Sequence, residues 1–161
     1  MRHLTLIPAT LVVSLALSAC AEKPDETVER AFQEVNVVDE NDLNDVMLTV
    51  ADPNEAVNYF TRSTKQHPNR IDLQRGLALS LIRAKRNVEG VAAWKKVVGM
   101  NGAKSEDKVA LADAQIRVGE WAAAEKTLDN VPPTYETFKR YRLEGMVADA
   151  NKEWNKADSY Y

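Results

Sequence analysis

Gly119-Glu120-Trp121-Ala122-Ala123-Ala124, followed four residues later by Leu128, is the stretch whose reading decides the fold. Ala124 has a small counterpart 34 residues earlier in Gly90 and another 34 before that in Ala56. Each is followed at the fourth residue by a large apolar side chain, namely Phe60, Trp94 and Leu128. A four-residue separation puts both members on one helix face, one turn apart. The small member lets a neighbouring helix come close, and the large one fills the layer between successive units. A fourth copy, Ala157 with Tyr161, is shifted by one residue.

A second set of helices keeps the same step. Leu77-Ala78 is matched by Leu111-Ala112, and Gly145 stands at the same place in the last copy. Two helices sharing one period imply stacked helix pairs, each hiding its apolar face only against its neighbours. Boundary signals agree. Asp52-Pro53-Asn54-Glu55 offers an N-cap acid, a proline tolerated in the first turn and a glutamate placed for a capping box. Pro68, Gly99 to Gly102 and Pro132-Pro133 break the chain between copies, and Ser105 is an expected N-cap.

The series Tyr141, Gly145, Ala148, Trp154, Ala157, Tyr161 resembles the tetratricopeptide repeat. The resemblance implies an all-α superhelix of helix-turn-helix units, about three and a half of them, over residues 39–161. The units are expected at 39–68, 69–103, 104–135 and 136–161, with the last cut short at Tyr160-Tyr161. The first is the weakest, because Asn44 stands where Ala78 and Ala112 stand later. Gln115 and Glu144 also depart from the apolar pattern, and Trp94, Trp121 and Trp154 are expected to be packing residues.

Ahead of the repeats, Met1-Arg2-His3 and the apolar run Leu4 to Leu17 read as a secretory leader. The run is short of the roughly 20 residues a membrane-spanning helix needs. Leu17-Ser18-Ala19-Cys20 resembles the bacterial lipobox, which implies cleavage of residues 1–19 and covalent lipid on Cys20. Several acyl chains on one residue make a lasting anchor. Ala21, rather than an aspartate, follows the cysteine; by resemblance to lipoproteins this implies an outer-membrane anchor with the folded part facing the periplasm. Residues 20–38 are expected to be an acidic tether, with a short helix at 27–35.

Cys20 is the single cysteine, so the chain alone can form neither a disulfide nor a thiolate cluster. The net charge of −3 argues against a nucleic-acid binder, which needs clustered Lys and Arg. His67 lies beside Pro68 in a turn between repeats, Asp39-Glu40-Asn41-Asp42 lacks calcium-loop spacing, and no phosphate-cradling glycine pair occurs. The expectation is therefore no catalytic residue, no metal, no cofactor beyond the lipid, no small-molecule substrate and no nucleic acid.

What the sequence offers instead is a surface. In tetratricopeptide stacks the first helices of successive pairs line a groove. Carrying the period along gives rows Asp72, Glu106, Lys139; Arg75, Val109, Arg142; Leu79, Asp113, Met146; and Arg83, Arg117, Ala150. Facing inward, Arg75, Arg83, Arg117, Lys139 and Arg142 would form a basic wall beside Leu79, Ile82 and Ile116, suited to an acidic protein segment with apolar anchors. The short acidic tether and late-starting repeats look most like the lipoproteins of tight-adherence (Flp) pilus assembly. That resemblance implies a scaffold assisting the pilus secretin or other assembly components. The alternatives are a type IV pilus pilotin, a barrel-assembly component or a regulator of a periplasmic cell-wall synthase.

Overall fold

A computed structural model describes residues 42–161. The leader, Cys20, the tether and the expected helix at 27–35 lie outside the described residues. Within them the fold is all-α. Eight helices follow in order: α1 (42–49), α2 (Pro53–Gln66), α3 (Ile71–Arg83), α4 (Asn87–Val98), α5 (Ser105–Arg117), α6 (Trp121–Asp129), α7 (Phe138–Ala150) and α8 (Trp154–Asp158). Among the described residues no strand occurs, and no helix is long and apolar enough to cross a membrane.

The helices form four pairs closed by one recurring turn. In each turn a backbone N–H reaches back five residues: Ala51 to Val46 (3.1 Å), Arg86 to Leu81 (2.9 Å), Glu120 to Gln115 (2.9 Å) and Glu153 to Ala148 (2.8 Å). In the last three pairs this is the hydrogen bond of a helix ending in a left-handed residue. Lys85 (φ 63°), Gly119 (φ 77°) and Lys152 (φ 62°) are those residues in the last three pairs. From Arg86 to Glu120 to Glu153 the turn repeats at the step of the side-chain pattern, 34 and then 33 residues, whereas the first turn lies 35 residues before the second.

Small residues sit where helices meet. Ala56, Ala78, Ala112, Ala124 and Ala148 are fully buried, and so are the large partners Phe60 and Leu128. A Cβ on Gly76 would overlap the Phe60 ring, one on Gly90 would overlap the Ile82 side chain, and one on Gly145 would lie 2.7 Å from the Tyr161 ring. Two apolar clusters result. One joins Ala78, Val91, Trp94 and Val97 to Leu111 and Ala114; the other joins Val109, Ala112, Ile116, Ala124 and Leu128 to Leu143 and Val147. Each spans two successive pairs, so neither pair owns a complete core.

The polar departures are each satisfied. Asn44 is buried and its Oδ1 accepts the Tyr59 hydroxyl at 3.0 Å. Gln115 is buried and accepts from Thr127 at 2.8 Å. Glu144 pairs with Arg140 at 2.8 Å, both side chains being 12% exposed. Asp52 caps α2 as expected, accepting from the Asn54 and Glu55 N–H groups. Ser105 does not cap α5. It is the first helical residue, and the Lys104 N–H is met instead by the Asp107 carboxylate at 2.7 Å. Among the tryptophans, Trp94 is buried and Trp121 half-buried, but Trp154 is 60% exposed, because no helix among the described residues lies over α8.

Trp94→Ala should lower stability by about 3 to 5 kcal/mol, the usual cost of emptying a large buried site. Gly76→Ala should also destabilise, because the fully buried Phe60 ring has nowhere to move and overpacking costs about 1 to 3 kcal/mol. Urea unfolding of the purified chain reads both. An unchanged midpoint for either variant would contradict this packing.

Candidate partner-binding cleft

A cleft of about 610 Å³ lies between α3, α5 and the loop leading into α7. Leu79 (42% exposed), Trp94, Val109, Ala110 and Tyr135 give it an apolar lining, while Arg75, Lys104, Glu106, Asp107, Thr137 and Lys139 supply charge and hydrogen bonds.

The cleft walls are tied together by one ion pair. Arg75 on α3 donates from Nε to Asp107 Oδ1 at 2.7 Å and from Nη2 to Oδ2 at 2.8 Å, and Nη2 also reaches the Gly102 carbonyl at 3.1 Å. Two parallel bonds fix the orientation of both groups. Asp107 is buried, and burial alone would raise its pKa; the hydrogen bonds from Arg75 and from the Lys104 N–H outweigh this and hold it below the usual carboxylate value.

The loop wall is held by Arg140. Its Nη1 donates to the carbonyls of Pro132 (2.9 Å), Tyr135 (3.2 Å) and Pro133 (3.4 Å), while Nε is paired with Glu144. The guanidinium thereby folds the Pro132-Pro133 segment onto α7 and presents Tyr135 and Thr137 to the cleft.

Of the residues expected in a groove, Arg75, Leu79 and Lys139 line this cleft. Ile116 is buried in the α5–α6–α7 core, and Ile82 is half-buried against Gly90, so neither forms part of its lining. Arg83 donates to the Met47 and Ala51 carbonyls at 3.0 and 3.1 Å, closing the end of α1. Arg117 and Lys139 both pair with Asp113 at 3.3 Å. Arg142 is exposed and stands outside the cleft. Four of the five basic groups are therefore engaged within the chain, and the wall is less basic than the bare rows imply.

Sequence reasoning passed over Asp107, Tyr135 and Thr137. Asp107 carried a signal, since an acid three residues after a helix start is a capping residue. The loop carried one in its length: the connections between pairs grow from 67–70 to 99–104 to 130–137. Among the described residues no cluster of His, Cys, Asp or Glu could hold a metal ion. No family model and no curated protein matches the chain.

Arg75→Met should cost about 3 kcal/mol at pH 7, as expected when one partner of a largely buried pair is removed. The folded Asp107 carboxyl titrates below its unfolded value, near 3.9. Its contribution is complete above that value and disappears as the pH falls through the lower folded one. Urea midpoints of the parent and Arg75→Met should therefore converge as the pH is lowered from 7 through 3. A gap that stays constant would mean that the pair contributes no pH-dependent stability.

Proposed function

We propose that the chain is an outer-membrane-anchored tetratricopeptide lipoprotein that acts as a non-enzymatic scaffold in tight-adherence pilus assembly and assists the secretin. The observation that carries the reading is the cleft. Helix pairs recurring at a step of 34 residues leave a channel between α3 and α5. Its mix of apolar lining and polar rim suits a chain segment held by side chains rather than a reacting small molecule.

Leu79 and Tyr135 would take apolar anchors of the client, and Lys104 would meet acidic groups beside them. Arg75 shapes the cleft through Asp107, whereas Arg117 and Arg83 act on the chain's own helices. Lipid on Cys20 would bring the client to the bilayer, and Leu17-Ser18-Ala19-Cys20 supports that part of the reading.

The test is the amount of heat-resistant secretin multimer in outer membranes from cells that carry the gene, lack it, or carry Cys20→Ser. The reading expects loss of multimers in both altered strains. Unchanged multimers in the deletion strain would overturn the secretin role.

A further inference from the structure

The cleft between α3 and α5 carries hydrogen-bond donors that find no acceptor in the chain. Trp94 is 4% exposed and borders the cleft, yet its indole N–H makes no hydrogen bond among the described residues, and its nitrogen is not sealed in the core. An indole nitrogen can only donate, and when buried it usually has a partner. The hydroxyl of half-buried Tyr135 is likewise unpaired among the described residues. Acceptors in the lining are largely spent. Asp107 accepts from Arg75 and from the Lys104 N–H, and Thr137 Oγ1 accepts from the Arg140 N–H.

Charge narrows the choice of occupant further. Arg75 is committed to Asp107 and Lys139 to Asp113, which leaves Lys104 and Glu106, both exposed, as one free charge of each sign in the lining. A segment dense in acids or in bases has no complement here, whereas a near-neutral one does. The occupant that fits offers carbonyl oxygens, brings few N–H groups and lays apolar bulk against Leu79, Val109 and Ala110. A helix has spent its carbonyls on itself. An ordinary extended chain brings as many N–H groups as carbonyls and would bury donors without partners. Proline has the carbonyl and lacks the N–H, and a polyproline II segment keeps its carbonyls free and is ordered before it binds.

We propose that the cleft binds a proline-rich segment of the client in the polyproline II conformation. The Trp94 N–H and the Tyr135 hydroxyl donate to its carbonyls, and Leu79 packs against its rings, as aromatic-lined grooves do for such segments. The inference rests on the reading of the cleft as the client's site and names the chemistry that the site selects.

The experiment titrates the full chain, purified in detergent with isotopically labelled tryptophan, with a decaproline peptide and follows the three indole N–H signals by NMR. Trp121→Phe and Trp154→Phe identify the Trp94 signal by elimination. The proposal expects saturable movement of the Trp94 signal while that of Trp154 stays in place. Tyr135→Phe should weaken binding about fivefold, the value of one hydrogen bond. Leu79→Asp, at a position 42% exposed, should abolish binding while leaving the urea midpoint unchanged. A Trp94 signal that decaproline does not move, or moves equally in Leu79→Asp, would overturn the proposal, and so would tighter binding of oligoglutamate or of a helix-forming peptide of equal length. Secretin multimers in cells carrying Leu79→Asp separate this result from the client reading. Loss of multimers with no decaproline binding would keep the cleft as the client's site and overturn the proline chemistry. Full multimers beside Leu79-dependent decaproline binding would support the proline chemistry and overturn the secretin as client.

Discussion

The close approach of small residues to large ones where helices meet, within pairs and between them, is the constraint on which the rest of the structure depends. Gly76 beneath the Phe60 ring, Gly90 beneath Ile82 and Gly145 beneath Tyr161 set how near one helix can lie to the next. Each apolar cluster draws on two pairs, so a pair removed from its neighbours loses the surface that buries it. Stability in such a stack is a sum of nearest-neighbour joints, and it falls toward the ends, where a joint has one side. Val46 on α1 and Trp154 on α8 are exposed where no described helix adjoins them.

Position in the stack also decides what each charge does. Arg75 looks like a ligand-binding cation when only its row is considered, yet its guanidinium is committed to Asp107 and the Gly102 carbonyl. Arg140 is committed to Glu144 and to the loop carbonyls that follow the third pair. Both convert charge into shape: the first joins α3 to α5, and the second places Tyr135. The cleft is therefore a product of fixed geometry, and Lys104 and Glu106 are its more available charges.

Much of this was legible in the sequence, because the 34-residue step, the breaks at Pro68, Gly99 to Gly102 and Pro132-Pro133, and the cap at Asp52 all rest on local chemistry. The all-α architecture followed from them. The faces were harder. A change of one residue turns a side chain by roughly 100° about a helix, so rows drawn by period alone placed Ile116 beside the groove although it belongs to the core. Trp154 reads as a packing residue because the aromatics recur at the repeat spacing, but packing depends on the neighbour as well as on the residue. Tyr135 lies in a loop outside the period, and only the three-dimensional path of that loop brings it to the cleft.

If the joints between pairs carry the stability, native-state hydrogen exchange across the whole chain tests that claim most directly. The amides of α3, α4 and α5, flanked by a joint on each side, should show the slowest exchange and a common opening free energy, with protection falling off toward α1 and toward α8. Slow exchange confined to one helix pair, or highest protection in α7 and α8, would show that the pairs are stable on their own and would contradict the account.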